Sequence, residues 1–226
     1  MKIGGLQKVT LIDYPGKVAC TVFLSGCNFR CPFCYSPELV LPEEIKKHPS
    51  INIEDFFSFL LEKRGLLDGC VICGGEPTIY GEELINFCKK IKEMGFLIKL
   101  DTNGSNPDVL NNIIPLIDYI AMDVKSPLDE RYKEFSVVDC LDKIKKSIEI
   151  IKKSGIDYEF RTTITNHSLD DILEIAEYLS PAKKYYIQRF ISEKENISGE
   201  KYILKEEDLK LIEENIKNLF EVFKIR

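Results

Sequence analysis

Hydrophobic positions along this chain follow two alternating rhythms. Short apolar runs rich in β-branched residues occupy 18–24, 70–73, 97–100, 119–122, 158–162 and 185–188. Runs of that length and composition are what strands buried on both faces require. Between them, apolar residues recur every three or four positions. That spacing predicts helices over 53–63, 81–94, 107–114, 138–153 and 169–179, and a last one over 205–219. Strands alternating with helices imply right-handed crossovers and a parallel sheet. Six such strands predict an α/β fold of the partial (β/α)6 barrel type, open and TIM-like, with a flat doubly wound sheet as the alternative. Ahead of the first strand, 10–16 reads as a turn centred on Pro15-Gly16 between two extended runs.

Polar motifs sit almost without exception just after the carboxyl end of a strand. A cysteine-rich loop follows Leu24, Gly74-Gly75-Glu76-Pro77 follows Cys73, and Asp101-Thr102-Asn103-Gly104 follows Leu100. Asp123 and Lys125 follow Met122, while Arg161-Thr162-Thr163 and Gln188-Arg189 close strands five and six. In barrels and open α/β sheets alike, that rim is where sites are built. No internal repeat or linker interrupts the pattern, so one domain is expected over 1–226, with an N-terminal extension over 1–17 and a ligand loop over 25–36.

Charge narrows the partners. A net charge of -6 argues against nucleic acid or an anionic membrane as the main partner. No basic-plus-apolar leader and no membrane-length apolar run is visible, which makes a cytoplasmic protein the expectation. Eight cysteines in such a chain point to metal or redox chemistry rather than a disulfide framework. Cys20, Cys70, Cys73, Cys88 and Cys140 lie among apolar neighbours and read as small core side chains. Cys70 and Cys73 would face opposite sides of a strand.

The remaining three, Cys27, Cys31 and Cys34, form C-x3-C-x2-C within one tight loop. Three thiolates are one fewer than a structural zinc site or a closed four-cysteine cluster needs. Around a cubane they leave one iron open to chemistry. His48 and His167 have no spacing to the loop that marks either as a fourth ligand. Phe29 and Phe33 beside the thiols would exclude water and offer a ring face. At 74–77, two glycines permit close backbone approach, Glu76 adds an acceptor and Pro77 stiffens the exit. Carbonyls and a carboxylate suit an ammonium group, not a phosphate. Asp101 also fits an Asx-type cap, and Arg161 and Arg189 also fit rim charges paired with acids.

Together the two loops resemble the radical S-adenosylmethionine superfamily, and the resemblance spans essentially the whole chain. It implies a [4Fe–4S] cluster on Cys27, Cys31 and Cys34, with S-adenosylmethionine completing the coordination of the open iron. Reduction of the sulfonium then yields methionine and a 5′-deoxyadenosyl radical, the cofactors carrying the difficult chemistry. It further implies that Gly74, Gly75 and Glu76 hold the methionine amine, with Phe33 and Tyr35 beside the adenine. Thr102, Asp123 and Lys125 fall where glycyl-radical activases contact the methionyl and ribose groups, and Asp101 and Asp123 where one subgroup shares a monovalent cation. Arg161 is placed as an anchor for the cofactor carboxylate or a partner loop, and Gln188 near the ribose.

A narrower stretch, Ile12-Asp-Tyr-Pro-Gly-Lys-Val-Ala-Cys-Thr-Val-Phe23 with the cysteine loop, is similar to activating proteins of anaerobic ribonucleoside-triphosphate reductase. Arg161-Thr-Thr163 and Gln188-Arg-Phe190 are similar to that branch as well, while Tyr35 stands where family members often carry His and Gln188 where some other activases use His. The resemblance implies a glycyl-radical enzyme as protein substrate and a flavodoxin or ferredoxin as electron donor. The competing expectations are a radical enzyme acting on a pterin- or nucleotide-like small molecule, and a non-catalytic iron–sulfur or zinc module.

Overall fold

The computed structural model describes residues 1–135 and 139–226. One eight-stranded sheet runs in sequence order: β1 (Ile3–Thr10), β2 (Ala19–Leu24), β3 (Gly69–Gly74), β4 (Leu97–Thr102), β5 (Tyr119–Asp123), β6 (Asp157–Ile164), β7 (Ala182–Arg189) and β8 (Phe220–Ile225). β1 pairs antiparallel with β2, and every later pair is parallel. The two edge strands do not meet, so the barrel stays open. β2 to β7 are the six strands that the apolar runs predict, and two strands are added at the edges. The run before Thr10 forms a hairpin with β2, as the Pro15-Gly16 turn requires. β8 was not expected: in Phe-Glu-Val-Phe-Lys-Ile the charges of Glu221 and Lys224 break up any continuous apolar run, and the adjacent Val222 and Phe223 break a strict alternation.

Helices α1 (Pro37–Val40) and α2 (Pro42–Lys47) follow the cysteine loop, and α3 (Ile53–Glu62), α4 (Glu82–Glu93), α5 (Pro107–Ile113), α6 (Leu141–Lys153), α7 (Leu169–Leu179) and α8 (Glu206–Ile216) pack on the outer face. Their boundaries follow local chemistry. Asn52 caps α3 by accepting from the Glu54 N–H, and Pro107 opens α5. Ser168 and Asp171 close a reciprocal capping box on α7. The helix expected over 138–153 begins at Leu141; Val138, its expected first residue, lies outside the described residues.

Strand alternation splits the apolar residues in two. Ile72, Ile98, Leu100, Ile120 and Phe160 face the helices and build the main core. Tyr14, Ala19, Val71 and Tyr119 form a small second cluster on the concave face, below the carboxyl rim. Tyr14 comes from the hairpin turn and packs its ring 6.0 Å from that of Tyr119, plugging the amino-terminal end of the barrel. Asp13 beside it accepts from the Thr21 hydroxyl at 2.6 Å. Cys70 faces the helices and Cys73 the concave side, as alternation predicts. Among the described residues no helix is long and apolar enough to cross a membrane.

Candidate active site

The loop after β2 turns sharply at Gly26, whose φ of +101° favours glycine and whose N–H donates to the Leu39 carbonyl at 2.6 Å. Beyond it, Cys27, Cys31 and Cys34 all line one cavity of about 220 Å³ at the carboxyl rim. The loop largely fixes itself. Arg30 Nη1 donates to the carbonyls of Cys27 and Phe29 at 2.9 and 2.7 Å, and the Cys34 N–H donates to Cys31 at 3.1 Å. Burial pushes the Cys27 thiol up to about 12, the Cys31 thiol to about 11 and the Cys34 thiol upward as well. All three cysteines are free of disulfides, and a thiol must give up its proton to bind iron.

The glycines after β3 serve a purpose that the sequence does not disclose. Gly75 donates its N–H to the Leu24 carbonyl at 2.8 Å, and Glu76 donates its own to the Gly26 carbonyl at 2.8 Å. A Cβ on Gly74 would meet Leu24 O at 2.2 Å, and one on Gly75 would meet Gly26 O at 2.0 Å. What comes close to these glycines is therefore the backbone of the cysteine loop itself. Both also line the cavity.

Glu76 does not line the cavity. Its carboxylate is 0% exposed and accepts from Thr78 N and Oγ1, from Thr102 Oγ1 at 2.7 Å and from Asn103 N at 2.6 Å. Burial pushes it above the usual carboxylate range, opposed by these donors. It ties the turn after β3 to the end of β4 from beneath the site. Asn103 continues the tie: its Nδ2 donates to Asn28 Oδ1 at 3.1 Å, and Asn28 Nδ2 donates to Ser105 Oγ at 2.8 Å. Asn28 lies between the first two cysteines, so the β4 loop braces the ligand loop directly.

The floor is ionic. Asp101 and Asp123 end β4 and β5, and Arg161 from β6 lies between them at 2.9 and 2.7 Å. Lys99 pairs with Asp101, and Lys125 Nζ reaches Asp123 at 2.8 Å. Burial, the largest single influence, would raise both carboxyls, but Arg161 together with Lys99 at Asp101, and Arg161 together with Lys125 at Asp123, overcome it, and both lie below the usual range. Cys73, expected as a core residue, lines this floor beside Asp101, and burial pushes its thiol up to about 12.

Phe33 and Tyr35 complete the wall. Phe33 is buried against Phe135, ring centres 5.8 Å apart, with Lys125 Nζ 5.7 Å from its face. Tyr35 stacks on Phe190 at 5.3 Å, and its hydroxyl accepts from the Ile191 N–H at 2.6 Å. The chain after β7 thus straps back onto the ligand loop, where Ile197 and Ser198 donate to the carbonyls of Cys34 and Pro32 at 3.0 Å each. Tyr35→Phe removes one acceptor and should cost about 1 kcal/mol, seen as faster amide exchange at Ile191. Unchanged exchange would show that stacking alone holds the strap. Gln188 is half-buried at the end of β7 and is not part of the cavity wall, and Arg189 pairs outward with Glu206. Asn28, Asn103 and Cys73 escaped sequence reasoning; for the asparagines, the only signal was their place in rim loops.

Comparison with known proteins accords with this geometry. The model of the radical SAM superfamily matches residues 21–191. A protein of Methanocaldococcus jannaschii, provisionally named a glycyl-radical enzyme activating enzyme, is 38% identical over 202 residues, covering 83% of this chain and 79% of its own. The pyruvate formate-lyase-activating enzyme of Clostridium pasteurianum is 28% identical over 136 residues, 58% of this chain and 56% of that one. Among solved structures, Streptococcus suis SuiB bound to S-adenosylmethionine shares the fold, with a TM-score of 0.68 at 16% identity over 91% of this chain and 51% of that longer one. The donor set fits the cofactor that this family implies: three free thiols on one loop around one cavity, with no histidine in its wall. The chain belongs to the radical SAM superfamily and binds that superfamily's [4Fe–4S] cluster and S-adenosylmethionine.

Proposed function

We propose that this protein is a glycyl-radical enzyme activase whose target is an anaerobic ribonucleotide reductase, with a flavodoxin or ferredoxin as electron donor. The observation that carries the reading is the 38% identity to the M. jannaschii activating enzyme over most of both chains. The motif from Ile12 to Cys34 supports the reductase as target. An open sheet with two unjoined edges offers a side by which a loop of a large partner can reach the cavity. The whole chain acts as one domain in this reading.

When bound, the cluster would supply one-electron reduction of S-adenosylmethionine, with scission of its S–C5′ bond to methionine and a 5′-deoxyadenosyl radical. Everything else falls to the protein. Cys27, Cys31 and Cys34 would hold the iron, and the backbone of Gly74 and Gly75, which lines the same cavity, would receive the cofactor amine. Glu76 holds that backbone in place from below. Lys125 would offer a cationic donor to a carboxylate, with Arg161 fixing Asp123 beside it; Thr102 and Asp123 would serve the ribose side, and Phe33 and Tyr35 would keep water from the site. Gln188, outside the wall, has no direct contact in this scheme.

Mixing the anaerobically reconstituted, reduced protein and S-adenosylmethionine with an anaerobic ribonucleotide reductase tests the assignment by electron paramagnetic resonance. A stable organic radical on the reductase is expected. Formation of 5′-deoxyadenosine without any radical on the reductase would move the assignment to a small-molecule substrate.

A further inference from the structure

Two carboxylates that face one another in a buried site repel, and one of them takes up a proton unless a cation stands between. Asp101 and Asp123 are such a pair, their side chains 12% and 23% exposed. Every one of their four oxygens meets a cationic donor from this chain. Lys99 Nζ pairs with Asp101 Oδ1, and Arg161 Nη1 lies 2.9 Å from Asp101 Oδ2. Arg161 Nε lies 2.7 Å from Asp123 Oδ1, and Lys125 Nζ 2.8 Å from Asp123 Oδ2. Among the described residues only Arg161 touches both. A further carboxylate, Glu159, lies 3.9 Å from Arg161 Nη1 and is itself held by Arg226 Nη2 at 2.8 Å and the Tyr119 hydroxyl at 2.8 Å.

We propose that Arg161 is a built-in counter-cation: its guanidinium fixes Asp101 and Asp123 as ionised, oriented groups and stands where a dissociable monovalent cation would otherwise bind. An ion seated between the two carboxylates would have to share the oxygens that Arg161 Nη1 and Nε engage, and its charge would lie against that of the guanidinium. A guanidinium stays protonated at any working pH, and its rigid fork can meet two carboxylates at once. Anchored to β6, it cannot be diluted away, and a buried pair is poorly screened by salt. Arg161 is thus a positioning residue for Asp123 and Lys125, and the cavity keeps its shape without K⁺ or Na⁺. The inference rests on this cavity as the cofactor site and stands whether or not the partner is a glycyl-radical enzyme.

The test compares KCl, NaCl and choline chloride at equal ionic strength. For the wild-type protein, thermal stability and S-adenosylmethionine affinity should differ by less than about twofold among the salts, and ²⁰⁵Tl NMR should show no bound Tl⁺. Arg161→Met in choline chloride should bind S-adenosylmethionine about tenfold more weakly or worse. K⁺ or NH₄⁺ should restore much of that loss, and the variant should bind Tl⁺. Cation-selective rescue is an outcome that a merely structural role does not produce. A wild-type protein that needs K⁺ or Na⁺, or that binds Tl⁺, would overturn the proposal even if the variant fails to fold. A folded Arg161→Met variant indifferent to cation identity would overturn it too.

Discussion

Replacing Gly75 by alanine is expected to cost the protein its iron as completely as replacing Cys31 does. The new Cβ would lie 2.0 Å from the Gly26 carbonyl oxygen, 2.6 Å from its carbon and 3.2 Å from the Cys27 Cβ. None of these is the free end of a side chain that can swing aside. The Glu76 N–H pins the same carbonyl at 2.8 Å, so relief of the clash must move the cysteine loop. Overpacking costs about 1–3 kcal/mol even where side chains can adjust, and more against a fixed backbone. Most of the core lies between sheet and helices, away from this contact. Gly75→Ala should therefore keep its helical circular dichroism and yet retain almost no iron after anaerobic reconstitution. Wild-type iron content would show that the two loops do not depend on each other.

Glu76→Ala is expected to do comparable damage from below. It strips the acceptor from two backbone N–H groups, those of Thr78 and Asn103, and from two hydroxyls. The hydroxyls can rotate to other partners, but the backbone donors cannot. Leaving both buried and unpaired costs about 2–5 kcal/mol. Because Asn103 braces Asn28, the loss reaches the cysteine loop. Glu76→Gln retains one carbonyl acceptor and should cost about 1–2 kcal/mol, a difference readable by urea unfolding. Equal midpoints for the two variants would mean that the hydrogen bonds to Glu76 contribute nothing. A merely electrostatic contact with a cofactor amine would instead leave the unfolding midpoint of both variants unchanged.

The contrast between these residues shows what the sequence could and could not disclose. The six inner strands are legible because strands buried on both faces must be continuous apolar runs, and Val18–Leu24 and Tyr119–Met122 are too short for helices and stand between turn-forming residues. β8 is not legible, since Phe220 to Ile225 is neither a continuous apolar run nor a strict alternation, and its partner β7 lies more than thirty residues earlier in sequence. The three loop thiols stand out because their spacing is short and local. Arg161 and Asp101 lie sixty positions apart in sequence, and nothing local says that β6 will set one against the other. Glu76 was legible as important but not in its role. A carboxylate beside two glycines suggests a ligand acceptor, and only the fold shows all its oxygens committed to protein donors. Cys73 failed for the opposite reason: its apolar neighbours belong to the strand, while alternation turns its own side chain toward the cavity.

The most direct test of the account is the yield of 5′-deoxyadenosine from anaerobically reconstituted, dithionite-reduced protein supplied with S-adenosylmethionine. The wild-type chain should form the nucleoside, and Cys27→Ala, Cys31→Ala and Cys34→Ala should each form none. Product from any of the three variants, or none from a wild-type protein with its cluster in place, would contradict it.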